Sequence, residues 1–192
     1  MFDVKPLQRR LGVAADGVPG IGTMTALFTR FGATNYAAEL GLAAAVHFPA
    51  AFLLESTNRL AHVMAQLAHE SGGFRYMEEI ADGSAYEGRA TLGNTQPGDG
   101  KRYKGRGPIQ ITGRANYRRY GRMIGIDLER RPELASAPSI GLMVGCAFWT
   151  LNGLNKLADA DDLIGITRRI NGGTNGLDDR KRRLAQAKAL LS

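Results

Sequence analysis

Between Ser139 and Leu151 the chain reads Ser-Ile-Gly-Leu-Met-Val-Gly-Cys-Ala-Phe-Trp-Thr-Leu, apolar on nearly every side of a helix. A helix without a polar face must be wrapped by other elements. The segment is too short to cross a bilayer, and no run of about 18 apolar residues occurs anywhere in the chain. It therefore predicts a mainly helical fold assembled around this segment as a buried central helix.

The rest of the sequence supplies helices to surround it. From Arg59 to Phe74, Leu60, Val63, Met64, Leu67 and Ala68 recur as one helical stripe. Ser56 or Thr57 is placed to cap its start. Gly72-Gly73 ends it, because glycine readily takes the left-handed conformation that closes a helix. Glu70 thus falls in the last turn, where the negative end of the helix dipole favours a protonated carboxyl, the state a general acid needs. The plainer reading is a solvated helix-end residue.

Val4, Leu7 and Leu11 give a first short helix, Asp16 to Gly20 a turn, and Thr23 to Phe31 a second helix. Residues 36–54 read as one or two short helices interrupted by Pro49. The segment from Gly73 to Gly100, acidic and glycine-rich, reads as a functional loop with one short helix or hairpin. A helix starts after Thr112, with Tyr117, Tyr120 and Met123 or Ile124 on its buried side. Asp161 or Asp162 caps a helix to Ile170, and Asp178 opens a last one to Leu191. Strand signal is confined to a small hairpin between residues 80 and 111.

At 192 residues, with 44% hydrophobic and 22% charged side chains, the chain suits one folded domain with at most a small appendage. Cys146 stands alone, so no internal disulfide forms, as fits synthesis in a reducing cytosol. The N-terminal residues show no basic-then-apolar export signal. The net charge of +7 is uneven: residues 55–99 carry seven acids against three bases, and residues 101–131 ten bases against two acids. Such a surplus suits nucleic acid, an anionic membrane face or an anionic wall polymer. Nucleic acid is disfavoured because the basic residues are not interleaved with aromatics for stacking. His62 and His69 are not at the spacing of a zinc-binding His-Glu-x-x-His pair. Gly105-x-Gly107 is too short for a dinucleotide fingerprint, and Phe148 and Trp149 belong to the apolar helix.

Three blocks carry chemistry together: Ala68-His69-Glu70-Ser71-Gly72-Gly73-Phe74, then Lys104 to Tyr117 (Lys-Gly-Arg-Gly-Pro-Ile-Gln-Ile-Thr-Gly-Arg-Ala-Asn-Tyr), then Arg168 to Gly176 (Arg-Arg-Ile-Asn-Gly-Gly-Thr-Asn-Gly). In this order and spacing they resemble glycoside hydrolase family 19, the plant-type chitinases and the phage and bacterial wall lysozymes. The resemblance covers roughly residues 45–190. With no export signal or disulfide cysteines, the chain looks like the phage endolysin branch. Leu7 to Gly12, Asp16 to Gly20, Thr23 and Ala26 are similar to about half of a three-helix peptidoglycan-binding domain. This divides the chain into residues 1–35, a partial wall-binding-like unit, and residues 36–192, a catalytic domain.

The resemblance implies a lysozyme-like α+β fold, mainly helical, with at most a small β-hairpin beside the cleft. It also implies hydrolysis with inversion, which needs one carboxyl to protonate the leaving oxygen and another to activate water on the opposite face. Glu70 matches the acid. Glu79 matches the base of the phage-type members, Glu78 being its alternative if the local backbone is rotated. Glu87, further from the acid as in the plant enzymes, is the rival. Thr112 matches a hydroxyl that holds the attacking water; a helix N-cap is its plainer role. Gln110, Asn116 and Asn171 match positions that bind the sugar's N-acetyl and hydroxyl groups, and Arg180 matches an arginine that tunes and orients the acid. No metal or organic cofactor is implied. The implied function is peptidoglycan hydrolysis at β-1,4 bonds during host lysis, by a monomer made in the host cytoplasm and acting in the periplasm. Its partners would be glycan strands and the anionic outer-membrane surface. A chitinase and a non-catalytic wall-binding protein are the alternatives.

Overall fold

A computed structural model describes all of residues 1–192. In chain order its helices are α1 (Lys5–Leu11), α2 (Ile21–Arg30), α3 (Ala37–Ala50), α4 (Thr57–Glu70), α5 (Asp99–Arg102), α6 (Arg114–Ile124), α7 (Pro138–Leu151), α8 (Leu154–Asp159), α9 (Leu163–Asn171) and α10 (Leu177–Leu191). Extended structure is limited to isolated antiparallel bridges, Glu78 with Arg106 and Arg106 with Ile111. No helix is long and apolar enough to cross a membrane.

Two caps fall where side-chain chemistry places them. Ser56 Oγ accepts from Arg59 N at the start of α4, and Asp162 Oδ1 accepts from Gly165 N at the start of α9. Gly72 and Gly73, at φ 60 and 76, turn the chain away after α4. Pro49 does not divide residues 36–54: it sits in the last turn of a continuous α3. There its ring removes a single hydrogen bond close to an end that was about to break. Thr112 is not the cap of α6; Gly113 holds that position, and the Thr112 hydroxyl donates to Gln110 O.

The helix at the centre is α4, where every residue from Leu60 to Ala68 is buried, His62 and Gln66 included. The apolar helix α7 buries Leu142, Val144, Cys146 and Trp149 but leaves Met143 and Ala147 half covered and Leu151 40% exposed. Apolar composition all round therefore placed the centre three helices too late. An amphipathic helix can be wrapped completely if its polar side chains find partners inside.

Residues 1–35 share the core of the rest. Leu7, Met24, Leu27 and Phe28 belong to the same apolar cluster as α4 and α7. The Phe28 ring meets Phe48 at 6.0 Å and Phe74, just beyond the α4 terminus, edge-on at 4.9 Å. The N-terminal helices thereby buttress the turn that ends at the candidate acid.

Candidate active site

Glu70 ends α4 with its side chain 18% exposed. Arg180, from the first turns of α10, donates through Nη2 to Glu70 Oε1, through Nη1 to Gln66 Oε1 and through Nε to Asn175 O at 3.3 Å. Its own side chain is 2% exposed. Arginine has only donors, in a fixed planar fork, so these three acceptors settle the orientation of both the guanidinium and the carboxylate. A positive charge now faces the carboxylate that the helix end opposes. Arg180 is itself buried, so it can act on a ligand only through Glu70, whose carboxylate it orients. His69 turns aside, its Nδ1 2.7 Å from Asp179 Oδ2. His62 and His69 thus each face an aspartate, not one another.

Beyond the α4 terminus in the chain, residues 77–79 run beside 105–107. Glu79 N donates to Gly105 O at 2.9 Å, and Gly107 N donates to Met77 O at 2.8 Å. In such extended pairing, successive side chains point to opposite faces. Glu78 therefore goes one way, to Lys104 Nζ at 3.1 Å and Arg106 Nη2 at 3.0 Å. Glu79 goes the other way, where its Oε2 accepts from the Tyr86 hydroxyl at 2.9 Å. Its Oε1 is buried with no protein partner. Burial, and then the neighbouring Glu79, push the Tyr86 phenol above its ordinary pKa, so it stays a donor. Gly105 makes this crowding possible: a Cβ there would lie 3.0 Å from Glu79 Oε2 and 2.8 Å from Gln110 Oε1.

Gln110 is set in the left-handed region at φ 54, a strain of the kind that collects at functional sites. Its Nε2 donates to Gly107 O, Thr112 Oγ1 donates to Gln110 O, and Asn116 Nδ2 donates to Thr112 O. Each of the three side chains keeps its acceptor oxygen outside these bonds. Asn171 is tied to the same Asn175 carbonyl that Arg180 holds. The contacts thus link Glu79, Gln110, Thr112 and Asn116 in one group, and Glu70, Arg180 and Asn171 in another. Glu87 stands apart from both, its Oε1 accepting from Gly98 N and its Oε2 from Gly100 N, each at 2.7 Å. It caps the turn that opens α5.

Two members of this arrangement escaped the sequence reading. Tyr86 was adjacent to a candidate base but carried no motif of its own. Gln66, a polar residue one turn before Glu70 in an otherwise apolar stretch, was the available signal for a buried partner.

The family model described as "Chitinase class I" (Glyco_hydro_19) matches residues 14–171. An endochitinase of Arabidopsis thaliana is 39% identical over 139 residues, which cover 72% of this chain and 48% of that protein. A "glycosyl hydrolase family 19 domain-containing protein" of Haemophilus influenzae is 34% identical over 148 residues, covering 61% of this chain and 72% of the relative. The crystal structure of chitinase C from Streptomyces griseus superposes with a TM-score of 0.69 at 22% identity, covering 90% of this chain and 93% of that one. That likeness speaks to the fold. The chain spans about half the length of the plant relatives it matches.

Proposed function

The chain belongs to glycoside hydrolase family 19, and from that premise we propose that it hydrolyses β-1,4 bonds of the peptidoglycan glycan strand with inversion, as a phage-type endolysin. Glu70 is the acid. With Oε1 engaged by Arg180, Oε2 is the oxygen left to carry the proton that goes to the departing sugar oxygen as the C1–O bond breaks. Glu79 is the base and takes the proton of the water that attacks C1 from the opposite face. Thr112 holds that water, and Gln110, Asn116 and Asn171 hydrogen-bond the sugar's amide and hydroxyl groups, a task suited to amides, which offer both donors and an acceptor. After each turnover Glu70 is ionised and Glu79 protonated, and exchange with solvent resets both. No metal or cofactor takes part.

The observation that carries this reading is the division of labour among the loop acids. Glu78 is paired with two cations and Glu87 holds two backbone amides, whereas the Glu79 carboxylate accepts only from the Tyr86 hydroxyl. The net charge of +7 favours an anionic wall over neutral chitin, and the same surplus would engage the anionic outer-membrane surface from the periplasm. We take the working unit to be a monomer made in the host cytoplasm. Chitin is the second reading, supported by the endochitinases among the relatives.

The test is hydrolysis of purified sacculi and of chitin oligosaccharides by wild type, Glu70→Gln, Glu79→Gln and Glu87→Gln, with products identified by mass and anomer by NMR. Glu70→Gln and Glu79→Gln should each lose about 10²- to 10⁴-fold, the usual worth of an acid or base, and Glu87→Gln should keep its rate. A loss confined to Glu87→Gln moves the base there. Release from chitin alone establishes the second reading. Retained anomeric configuration excludes the mechanism.

A further inference from the structure

Besides its catalytic end, α4 carries a buried polar line. His62, Gln66 and Glu70 recur every four residues and so stack along one face of the helix. His62 and Gln66 are both 0% exposed. An unsatisfied buried polar group costs about 1–3 kcal/mol, so two of them in the most enclosed helix need a reason.

Their outer ends are engaged. His62 Nε2 lies 2.8 Å from Asp161 Oδ1, and Asp161 Oδ2 accepts from Lys188 Nζ at the surface at 2.5 Å. Lys188, and then His62, hold the Asp161 carboxyl below its usual range, so it is an ionised acceptor and His62 Nε2 must carry the hydrogen. Burial lowers the His62 pKa against the pull of Asp161 and Asp162, which leaves the ring neutral and Nδ1 an acceptor. At the other end Arg180, having only donors, fixes the Gln66 amide with its oxygen toward the guanidinium. The inner atoms are then an acceptor, His62 Nδ1, and a donor, Gln66 Nε2, one turn apart and both buried without another protein partner. They do not bond each other directly, and their complementarity is what a bond through one internal water requires. Asp161 is itself in the left-handed region at φ 56, a conformation that persists only where surrounding contacts enforce it.

We propose that Gln66 and His62 are positioning residues for the acid: with Arg180 they form one buried polar column, from Lys188 and Asp161 at the surface through His62, Gln66 and Arg180 to Glu70, that fixes how Glu70 is presented to the substrate. This rests on the reading of Glu70 as the acid. Along the column every hydrogen from Arg180 inward points toward the Asp161 charge, so each bond polarises the next in the same sense. Arg180 cannot turn away from Glu70 without also abandoning Gln66.

The column is tested by steady-state kinetics of Gln66→Met, His62→Leu and His62→Asn, together with ¹⁵N NMR of the His62 ring. Gln66→Met should lower kcat by about 10- to 100-fold with KM within about two-fold, as for a misplaced catalytic group. His62→Leu should act in the same direction, and His62→Asn, whose amide can offer an acceptor near the Nδ1 position, should recover most of the loss. In the ring itself, the wild type should show the Nε2–H tautomer, and its Nδ1 resonance should move in Glu70→Gln at the far end of the column. The proposal is overturned if His62 is indifferent to Glu70→Gln, or if the kinetic losses merely follow melting temperature and His62→Asn does not recover them. Should wild type hydrolyse neither polymer, the proposed function fails, while the NMR readout still decides the column.

Discussion

Glu87 holds Gly98 and Gly100 through paired charge-assisted bonds, so its loss should be felt as stability. Glu87→Ala should cost about 1 kcal/mol, the net worth of a hydrogen bond whose freed donors can turn to water, seen as a lower melting temperature with unchanged kcat in the folded fraction. Tyr86 should behave oppositely. Tyr86→Phe keeps the ring and its packing but removes the one donor on Glu79 Oε2. A hydrogen bond to a charged group is worth about 1.5 kcal/mol, so kcat should fall by about tenfold while the melting temperature hardly moves. An unchanged kcat would mean that Glu79 is not poised by Tyr86. At this scale the motifs singled out Glu70, Gln110 and Thr112 as candidates from sequence. The partners of Glu78, Glu79 and Glu87 were not legible, because they depend on which face of a bridged segment each side chain takes and on amides brought in from residues 98–100.

Helices α4 and α7 show what pattern conveys about an element and what it omits. Periodicity placed both, and the caps of α4 and α9 followed from single side chains. Which helix is wrapped completely depended on partners far away in sequence: Asp161 for His62 and Arg180 for Gln66. The glycine in α7 illustrates the same dependence. A Cβ on Gly141 would come within 2.8 Å of both Gly107 Cα and Ala135 O. Bare backbone here lets α7 seat the 105–112 segment that carries Gln110 and Thr112. Gly141→Ala has no flexible side chain to displace, so backbone must shift, at about 1–3 kcal/mol for an overpacked core position. The shift should also lower kcat beyond what the loss of folded protein explains, because Glu79 is paired to that segment through Gly105. Activity that tracks stability alone would show that the loop follows α7 without distortion.

Across the whole molecule, the acidic and basic stretches that look segregated in sequence fold onto each other. Lys101 pairs with Asp82, Lys104 and Arg106 with Glu78, Arg114 with Asp99 and Glu129, and Arg118 with Glu129. These five bases are thus paired within the fold, which sequence-local charge could not reveal, while the net charge of +7 is unchanged. The pairing sets the response to acid. Arg118, and then Arg114, hold Glu129 down at about 2, and Arg114 holds the buried Asp99 below its usual range. A carboxyl whose folded pKa is depressed contributes stability that is fully present above its unfolded pKa, about 4, and is lost as pH falls through the folded value. His62 adds an earlier and shallower loss. Burial lowers its pKa, so below about 6.5 the unfolded chain takes up a proton that the folded one resists. The melting temperature should therefore be level near neutrality, decline gently below about pH 6.5 and fall steeply between about pH 4 and 2. Glu129→Gln separates the two parts: it should melt lower at neutral pH, keep the gentle decline and flatten the steep one. A Glu129→Gln protein with the wild-type acid limb would place the acid sensitivity in other carboxylates.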